Sequence, residues 1–452
     1  MTILAYTFKG GVWPDDHKYT KNVPIEEITP PAQVSISLAQ HVGVMCKPTV
    51  KVGDSVRMGQ LIGDVPGGLG CPVHASVSGT VTKIDEVTAS RGGTSYNVVI
   101  ENDGKNTLSD TVLPFGKKLS EASSDEIIAA VRAAGITGMG SAAFPTYAKL
   151  AAARGKADTL IVNCIEGEPF VCATHRLILE DPAAILHGLK IVMVALGIQQ
   201  AWVAVENSHK EAREALQKQI GETGMIQLKK VTSKYPSGSE KQLVYALTKK
   251  EIPEGRTPLD VGIIVFNAQT CAAIYEALAK GMPLIRKIVT VDGDCIKTPK
   301  NLLVPVGTSV MDLITHCGGL CAQPKKIICG GPMMGQAQWD PATPVTKMTS
   351  AVLVLSDYFD FESKLPPVCI RCGRCVRACP MRLMPLKIAS AIEAGKTTEA
   401  AALGAADCIE CGTCSYICPG GVPVTQMVVR AKAAVLEQRR NDARLKDRKS
   451  VV

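Results

Sequence analysis

Eight cysteines near the C-terminal end are spaced for metal chemistry. Cys369, Cys372, Cys375 and Cys379 form one run, Cys408, Cys411, Cys414 and Cys418 form another, and each run ends in Cys-Pro. Thiolates at this spacing hold iron–sulfur cubanes: three neighbouring cysteines cap one face, and the fourth reaches the cubane nucleated by the other run. The pattern predicts one 4Fe-4S cluster on Cys369, Cys372, Cys375 and Cys418 and a second on Cys408, Cys411, Cys414 and Cys379. Zinc, the competing metal for paired Cys-x-x-Cys units, takes four ligands and leaves the third and fourth cysteine of each run without a role. Crossed ligands also bring the clusters close enough to exchange electrons, although a purely structural role for them stays open.

The chain that carries these runs has 452 residues and 17 cysteines in all. That length suggests three or four domains. Cysteine in such number argues for metal ligation in a reducing compartment rather than for disulfides. The remaining thiols, Cys46, Cys164 and Cys271 among them, have no repeated ligand spacing and are expected in cores; Cys317, Cys321 and Cys329 come nearest to a motif, and packing is expected for them too. Aromatic residues are only 4% of the chain and the net charge is +8, which argues against nucleic-acid binding. The N-terminus lacks a basic stretch followed by an apolar one, so a cytosolic protein is expected. The longest uncharged apolar run, residues 191–205, is shorter than the roughly 20 residues of a spanning helix, so membrane association is expected to be peripheral. Residues 430–449 carry eight basic and three acidic side chains. They read as a helix that is either solvated or docked on acidic subunits or anionic lipid.

The elements that must position this chemistry suggest a multidomain α/β and α+β protein. Residues 1–115 are strand-like and cut by turns, in two half-motifs resembling the barrel-sandwich hybrid of lipoyl and biotinyl carriers. No lysine stands in the VPGGLGCP segment between the halves, so a structural or docking module is expected rather than a carrier. Residues 116–280 alternate amphipathic helices with apolar strands, the rhythm of a mostly parallel sheet. Residues 281–345 return to short strands with one helix, resembling a β-grasp module without evident catalytic groups. Residues 346–452, after a linker at 356–367, are expected to be a helical two-cluster domain with the basic tail.

In the α/β region, Gly138-x-Gly140-x-x-Ala143 imitates a dinucleotide fingerprint, but a helical pattern precedes it where that fingerprint needs a strand. A glycine-rich loop running into a helix at Pro145 still offers backbone N–H groups to a phosphate. Taken with Phe8-Lys9-Gly10-Gly11, the HASVSG segment from His74, the NCIEGEP segment from Asn163, KYPSGSEKQL, FNAQT, GGPMMG and the two cysteine runs, this loop resembles the 51 kDa flavoprotein subunit of respiratory complex I and, more closely, the RnfC component of the Rnf electron-transport complex. The resemblance covers nearly the whole chain.

That resemblance implies an α/β domain holding FMN, which trades hydride with NAD(H) and single electrons with the clusters. It implies that Gly138, Gly140 and Lys149 hold phosphate with Ser141 beside them, and that Asn163, Glu166 and Glu168 line the flavin and nicotinamide site with the two glutamates as its catalytic carboxylates. Tyr235, Gly238, Glu240 and Asn267 complete the pocket. The family's usual Gly-Gly-Ala-Gly-Phe-Pro loop is replaced here by a form with Ser141-Ala142-Ala143 before Phe144, whose added side chains are expected to crowd a phosphate. The implied function is a peripheral subunit passing electrons between NAD(H), FMN, the two clusters and a ferredoxin- or flavodoxin-type carrier. It would dock on the cytoplasmic face of a membrane complex whose other subunits move ions. Two alternatives stay open: a soluble reductase feeding a corrinoid or amino-acid reductase, and a cluster relay without flavin.

Overall fold

The computed structural model describes residues 5–88, 94–140, 143–221, 224–359 and 367–450. Strand β1 (Ile25–Glu27) opens the chain but joins a later sheet. Strands β2 (Gln33–Ser37), β3 (Lys47–Pro48), β4 (Ser55–Val56), β5 (Leu61–Asp64), β6 (Val73–His74), β7 (Gly79–Thr88) and β8 (Thr94–Asn102) then build two antiparallel sheets, ordered β2-β8-β7-β4 and β3-β5-β6. Their alternating apolar side chains, Val34, Ile36, Ile62, Val81, Val98 and Ile100, meet in one buried layer between the sheets. This is the barrel-sandwich arrangement expected from the paired half-motifs.

The second region contains α1 (Ser124–Ala133), α2 (Thr146–Ala153), β9 (Thr159–Asn163), α3 (Ala173–Glu180), α4 (Pro182–Leu196), β10 (Ala201–Glu206), α5 (Lys210–Ile220), β11 (Ile226–Val231), α6 (Glu240–Thr248), β12 (Ile263–Asn267) and α7 (Ala268–Lys280). Its boundaries follow local chemistry. Ser123 and Glu126 form a capping box on α1, Asp181 caps α4 ahead of Pro182, and Gly197 ends α4 in the left-handed region at φ 69°. The strands are parallel in the order β11-β10-β9-β12. Because the chain leaves β9 toward β10 on one side and places β12 on the other, a crevice opens at the carboxyl ends of β9 and β12.

The third region holds β13 (Arg286–Asp292), β14 (Lys300–Pro305), α8 (Val310–His316), β15 (Lys326–Cys329), β16 (Gln336–Gln338) and β17 (Ala351–Leu355), in a sheet ordered β1-β14-β13-β17-β15-β16. Two strands therefore cross the boundaries expected from sequence. Strand β1 comes from the segment assigned to the first domain, and β17, fully buried, comes from the segment assigned to the cluster domain. Both are short and pair only with distant strands, so nothing local marks their sheet. Of the expected linker, residues 360–366 lie outside the described residues.

The last region contains α9 (Arg374–Ala378), α10 (Pro385–Glu393), α11 (Thr397–Ala402), α12 (Thr413–Tyr416) and α13 (Val424–Ser450). Val424, Val428, Ala431 and Val435 of α13 pack onto α10 and α11, while residues 436–445 beyond them are exposed, with Arg439 paired to Glu254 at 2.7 Å. No described helix is long and apolar enough to cross a membrane.

Candidate functional site

Asn163 and Asn267 end β9 and β12 and stand opposite each other in register. Beyond them a cleft of about 710 Å³ opens, a size typical of cofactor sites. The starts of α2, α6 and α7 face it through Thr146, Glu240 and Gln269, so their positive dipole ends converge there. Gly138, Gly140, Lys149, Asn163, Glu166, Glu168, Tyr235, Gly238, Glu240 and Asn267 all line this cleft. Ser141 lies outside the described residues.

Several of these polar groups already have work inside the protein. Asn163 donates to Gly238 O at 2.8 Å and accepts from the Ile165 N–H at 3.1 Å, so it ties the two cleft loops together. Asn267 caps α7 by accepting from the Gln269 N–H at 2.9 Å. The Glu166 carboxylate accepts from the N–H groups of Thr174 (2.7 Å) and His175 (3.0 Å), at the start of α3. Its oxygens are thus held by backbone donors. Lys149 pairs with Glu240 at 2.8 Å while half-exposed, an interaction weak enough for an anionic ligand to displace.

Glu168 is different. Burial pushes its carboxyl up to about 7 from 4.5, and it accepts from the Met333 N–H at 3.0 Å. The Tyr235 phenol is buried beside it without closing a hydrogen bond to a described residue, and burial followed by the neighbouring Glu168 and Cys411 keeps it protonated. The backbone of this acidic loop is fixed by Lys18, whose ammonium donates to Glu166 O (2.7 Å), Glu168 O (2.9 Å) and Val171 O.

The cysteine runs fold as two copies of one backbone. Arg371 and Glu410, Gly373 and Gly412, and Arg382 and Gly421 occupy matching places with φ of 54° and 59°, 71° and 80°, and 56° and 62°. Backbone N–H groups aim at the sulfurs, from Arg371 to Cys369 (3.4 Å), Glu410 to Cys408 (3.4 Å) and Leu383 to Cys379 (3.3 Å). Cys379 interacts electrostatically with Cys408, Cys411 and Cys414, while Cys418 does so with Cys375. The Val368 N–H donates to Gly420 O at 3.1 Å, which draws the start of the first run toward the end of the second. Among the described residues, no three or more His, Cys, Asp or Glu side chains are arranged to hold a single metal ion.

The second run touches the cleft directly. Ile409 and Cys411 form part of its wall, and Cys411 packs with Tyr235, Ala378 and Val12. An N-terminal strap holds this junction: Val12 and Tyr235 exchange backbone hydrogen bonds at 2.9 Å, and the Gly11 N–H donates to Ala378 O at 2.8 Å. Gly10, at φ 74°, passes so close that a Cβ would sit 2.6 Å from Cys379 O.

Comparison with known proteins follows this anatomy along the chain. Residues 6–105 match the RnfC barrel sandwich hybrid domain, 131–276 the Nuo51 FMN-binding domain, 288–337 the SLBB domain and 368–422 the 4Fe-4S dicluster domain. The C subunit of the Na(+)-translocating ferredoxin:NAD(+) oxidoreductase complex of Acetobacterium woodii is 39% identical over 86% of this chain and 88% of its own. The chain belongs to the RnfC family. The C subunit of the proton-translocating ferredoxin:NAD(+) oxidoreductase complex of Clostridium ljungdahlii is 41% identical, over 84% of this chain and 83% of its own. The C subunit of the ion-translocating oxidoreductase complex of Rhodobacter capsulatus is 39% identical, over 89% and 78%.

The cleft of this RnfC-family chain suits a flavin phosphate on its own geometry. Gly140 has open space where a Cβ would stand, and one on Gly138 would meet only the Phe144 backbone at ordinary contact, so packing within the protein does not require glycine at either place. Ala143 sits at φ 48°, with its side chain turned into the protein and buried. Other residues escaped the sequence reading: Lys18, which holds the backbone of the acidic loop, and, in the cleft wall, Thr270, whose hydroxyl accepts from the Met139 N–H at 3.0 Å, with Gly330, Gly331 and Met334 of the β-grasp region. GGPMMG marked the family but had no assigned place. Of the other thiols, Cys46, Cys164, Cys271 and Cys317 are buried as expected, whereas Cys321 is exposed and Cys329 lines the cleft.

Proposed function

We propose that this chain is the peripheral electron-transfer subunit of an Rnf-type complex, linking NAD(H) to a ferredoxin-type carrier through FMN and two 4Fe-4S clusters while partner subunits translocate ions. The single observation that carries the reading is Cys411, a ligand of the second-run cluster and at the same time part of the cleft wall. FMN supplies the conversion between a hydride and single electrons when it is bound. Around it, the glycine-rich loop and Lys149 hold phosphate, the loop fixed by Asn163 and Gly238 shapes the floor, and Glu168, its carboxyl raised by burial to about 7, stands with Tyr235 at the edge that meets Cys411. Glu166 is a positioning residue in this reading, since its carboxylate is spent on α3.

Exposure sets the order of the carriers. Cys411 and Cys414 are buried, Cys411 against the cleft, whereas Cys369 and Cys372 are exposed, so in this reading the second-run cluster stands between the cleft and the first-run cluster. The relatives' names, as subunits of ion-translocating complexes, favour a membrane complex over a soluble reductase. Anaerobic purification followed by flavin extraction, iron analysis and NADH titration tests this. Stoichiometric FMN, and clusters that NADH reduces, are expected. Iron-loaded protein without FMN would leave only the relay reading.

A further inference from the structure

The cysteines outside the two runs differ in how far a solvent reagent can reach them. Cys46 and Cys71 interact electrostatically, as do Cys164 and Cys271, but all four are buried. Cys295 and Cys321 interact in the same way, and here Cys321 is exposed. The other exposed cysteines, Cys369 and Cys372, are taken by the cluster assignment. The backbone sets Cys295 and Cys321 face to face. Ile296 and Leu320 are antiparallel bridge partners, flanked by hydrogen bonds from the Lys297 N–H to Gly319 O at 3.1 Å and from the Cys321 N–H to Cys295 O at 2.9 Å. Cys295 therefore stands directly opposite Cys321, and both side chains leave the same face of the ladder. Cα atoms so placed are about 5.5 Å apart, and a disulfide needs roughly 4.4–6.8 Å. Each thiol leans across to the other's segment: Cys295 Sγ donates to Gln323 O at 3.6 Å, and Cys321 Sγ donates to Asp294 O at 3.4 Å.

We propose that Cys295 and Cys321 are a reversible dithiol–disulfide site, closed by a small soluble disulfide of the glutathione class and reopened by excess thiol. Among the described residues no further His, Cys, Asp or Glu joins them to hold a metal ion. The exposed Cys321 thiolate attacks the small disulfide and expels one thiol. The Cys295 thiolate then attacks the Cys321 sulfur and expels the second. Two electrons pass from the protein to the reagent, and the two protein thiol protons end on the departing thiols. Burial, followed by Asp294 and Cys321, pushes the Cys295 thiol up to about 11, so its attack is the slower step and the mixed disulfide on Cys321 forms first. Exposed disulfides are the labile ones, so this bond suits a reducing compartment as a transient modification rather than a permanent staple. Its place gives it a consequence. The Asp294 carboxylate accepts from the Ser356 N–H at 2.9 Å, just beyond β17, and β15, which starts soon after Cys321, ends at Cys329 in the cleft wall. Closing the pair fastens together the segments that lead into these two strands.

The test uses the full chain, purified anaerobically with its clusters, and oxidised glutathione as the probe. Timed samples are acid-quenched, alkylated, digested and mapped by mass spectrometry, while visible absorbance reads the clusters. Wild type should first carry glutathione on Cys321 and then convert to a peptide pair cross-linked through Cys295 and Cys321, with both glutathione molecules released and the clusters intact. Dithiothreitol should restore both thiols. Cys295→Ser should stop at the mixed disulfide on Cys321, and Cys321→Ser should take up no glutathione at Cys295. The wild-type time course alone decides the matter if either variant fails to fold. A mixed disulfide that persists on wild-type Cys321 would overturn the proposal, as would a cross-link from Cys321 to Cys317 instead. Loss of cluster absorbance in step with glutathione uptake would also overturn it, because the ligand thiols and not Cys321 would then be the reactive ones. None of these readouts requires flavin or NADH, so the outcome is independent of the proposed function.

Discussion

Replacing Lys18 by methionine tests how the acidic loop is held in place. The ammonium reaches three backbone carbonyls, those of Glu166, Glu168 and Val171, the first two at 2.7 and 2.9 Å, from a strap that also pairs Val12 with Tyr235. Hydrogen bonds to a charged donor contribute about 1.5–3 kcal/mol each in isolation, but the three share one ammonium and order a long side chain at a cost of about 1.5–2 kcal/mol. A net loss of about 2–4 kcal/mol is therefore expected for Lys18→Met. Methionine keeps the apolar stem, so the loss falls on residues 166–171. If those residues order only with the lysine in place, NADH binding and hydride transfer carry the ordering cost, and kcat/KM for NADH should fall by about 30-fold or more. Lys18→Arg retains the charge but spreads its donors over a planar fork, so it should recover only part of the loss. The assay is anaerobic NADH:ferricyanide reduction with flavin content measured on the same sample. Wild-type kinetics in the methionine variant, at full flavin occupancy, would show that the loop holds itself and refute the reasoning.

Other expectations follow from the same geometry. Crossed ligation makes the EPR spectrum of Cys379→Ser resemble that of Cys411→Ser rather than Cys372→Ser, and the reverse match would mean uncrossed clusters. Gly140→Val should abolish FMN retention while leaving the melting temperature of flavin-free protein unchanged, since a side chain there meets no protein atom within 4 Å. Burial lowers the Lys287 ammonium to about 7, against 10.5 in an open chain, and its nitrogen has no hydrogen-bond partner among the described residues. Between those values the unfolded chain binds a proton that the folded chain refuses, so stability falls as pH falls through the window, by about 1.4 kcal/mol per unit. Thermal melts of Lys287→Met from pH 7 to 10 should lose that dependence, and an unchanged slope would refute the assignment.

What sequence reading could reach divides along locality. The thiol ligands were legible because chain spacing alone sets a cubane's ligands, and the α/β rhythm because helix and strand periods are local. Strands β1 and β17 were not, since their three and five residues acquire a sheet only by pairing with distant partners. Lys18 was hidden for the same reason: it meets Glu166 across 148 positions of chain. Glu166 shows the opposite limit. The family motif implied a place in the cofactor site, and Glu166 lines the cleft, but its engagement with the first turn of α3 depends on how the chain returns after Pro169, which no motif encodes.

The junction between cleft and cluster shows why those non-local pieces matter. Gly412, within the second run at φ 80°, lies where a Cβ would stand 2.6 Å from Met333 O, and the N–H of that same Met333 holds Glu168. From the other side the N-terminal strap presses Gly10 against Cys379 O, a carbonyl of the residue that completes the same cluster in the crossed assignment. The cysteine runs are therefore gripped by the N-terminal strap at Cys379 and by the β-grasp region at Gly412. A cluster that served only as a fold staple would gain nothing from close backbone contacts at the wall of a cofactor cleft. A cluster that must accept electrons one at a time from that cleft needs a fixed separation, and close backbone contacts on both sides supply it.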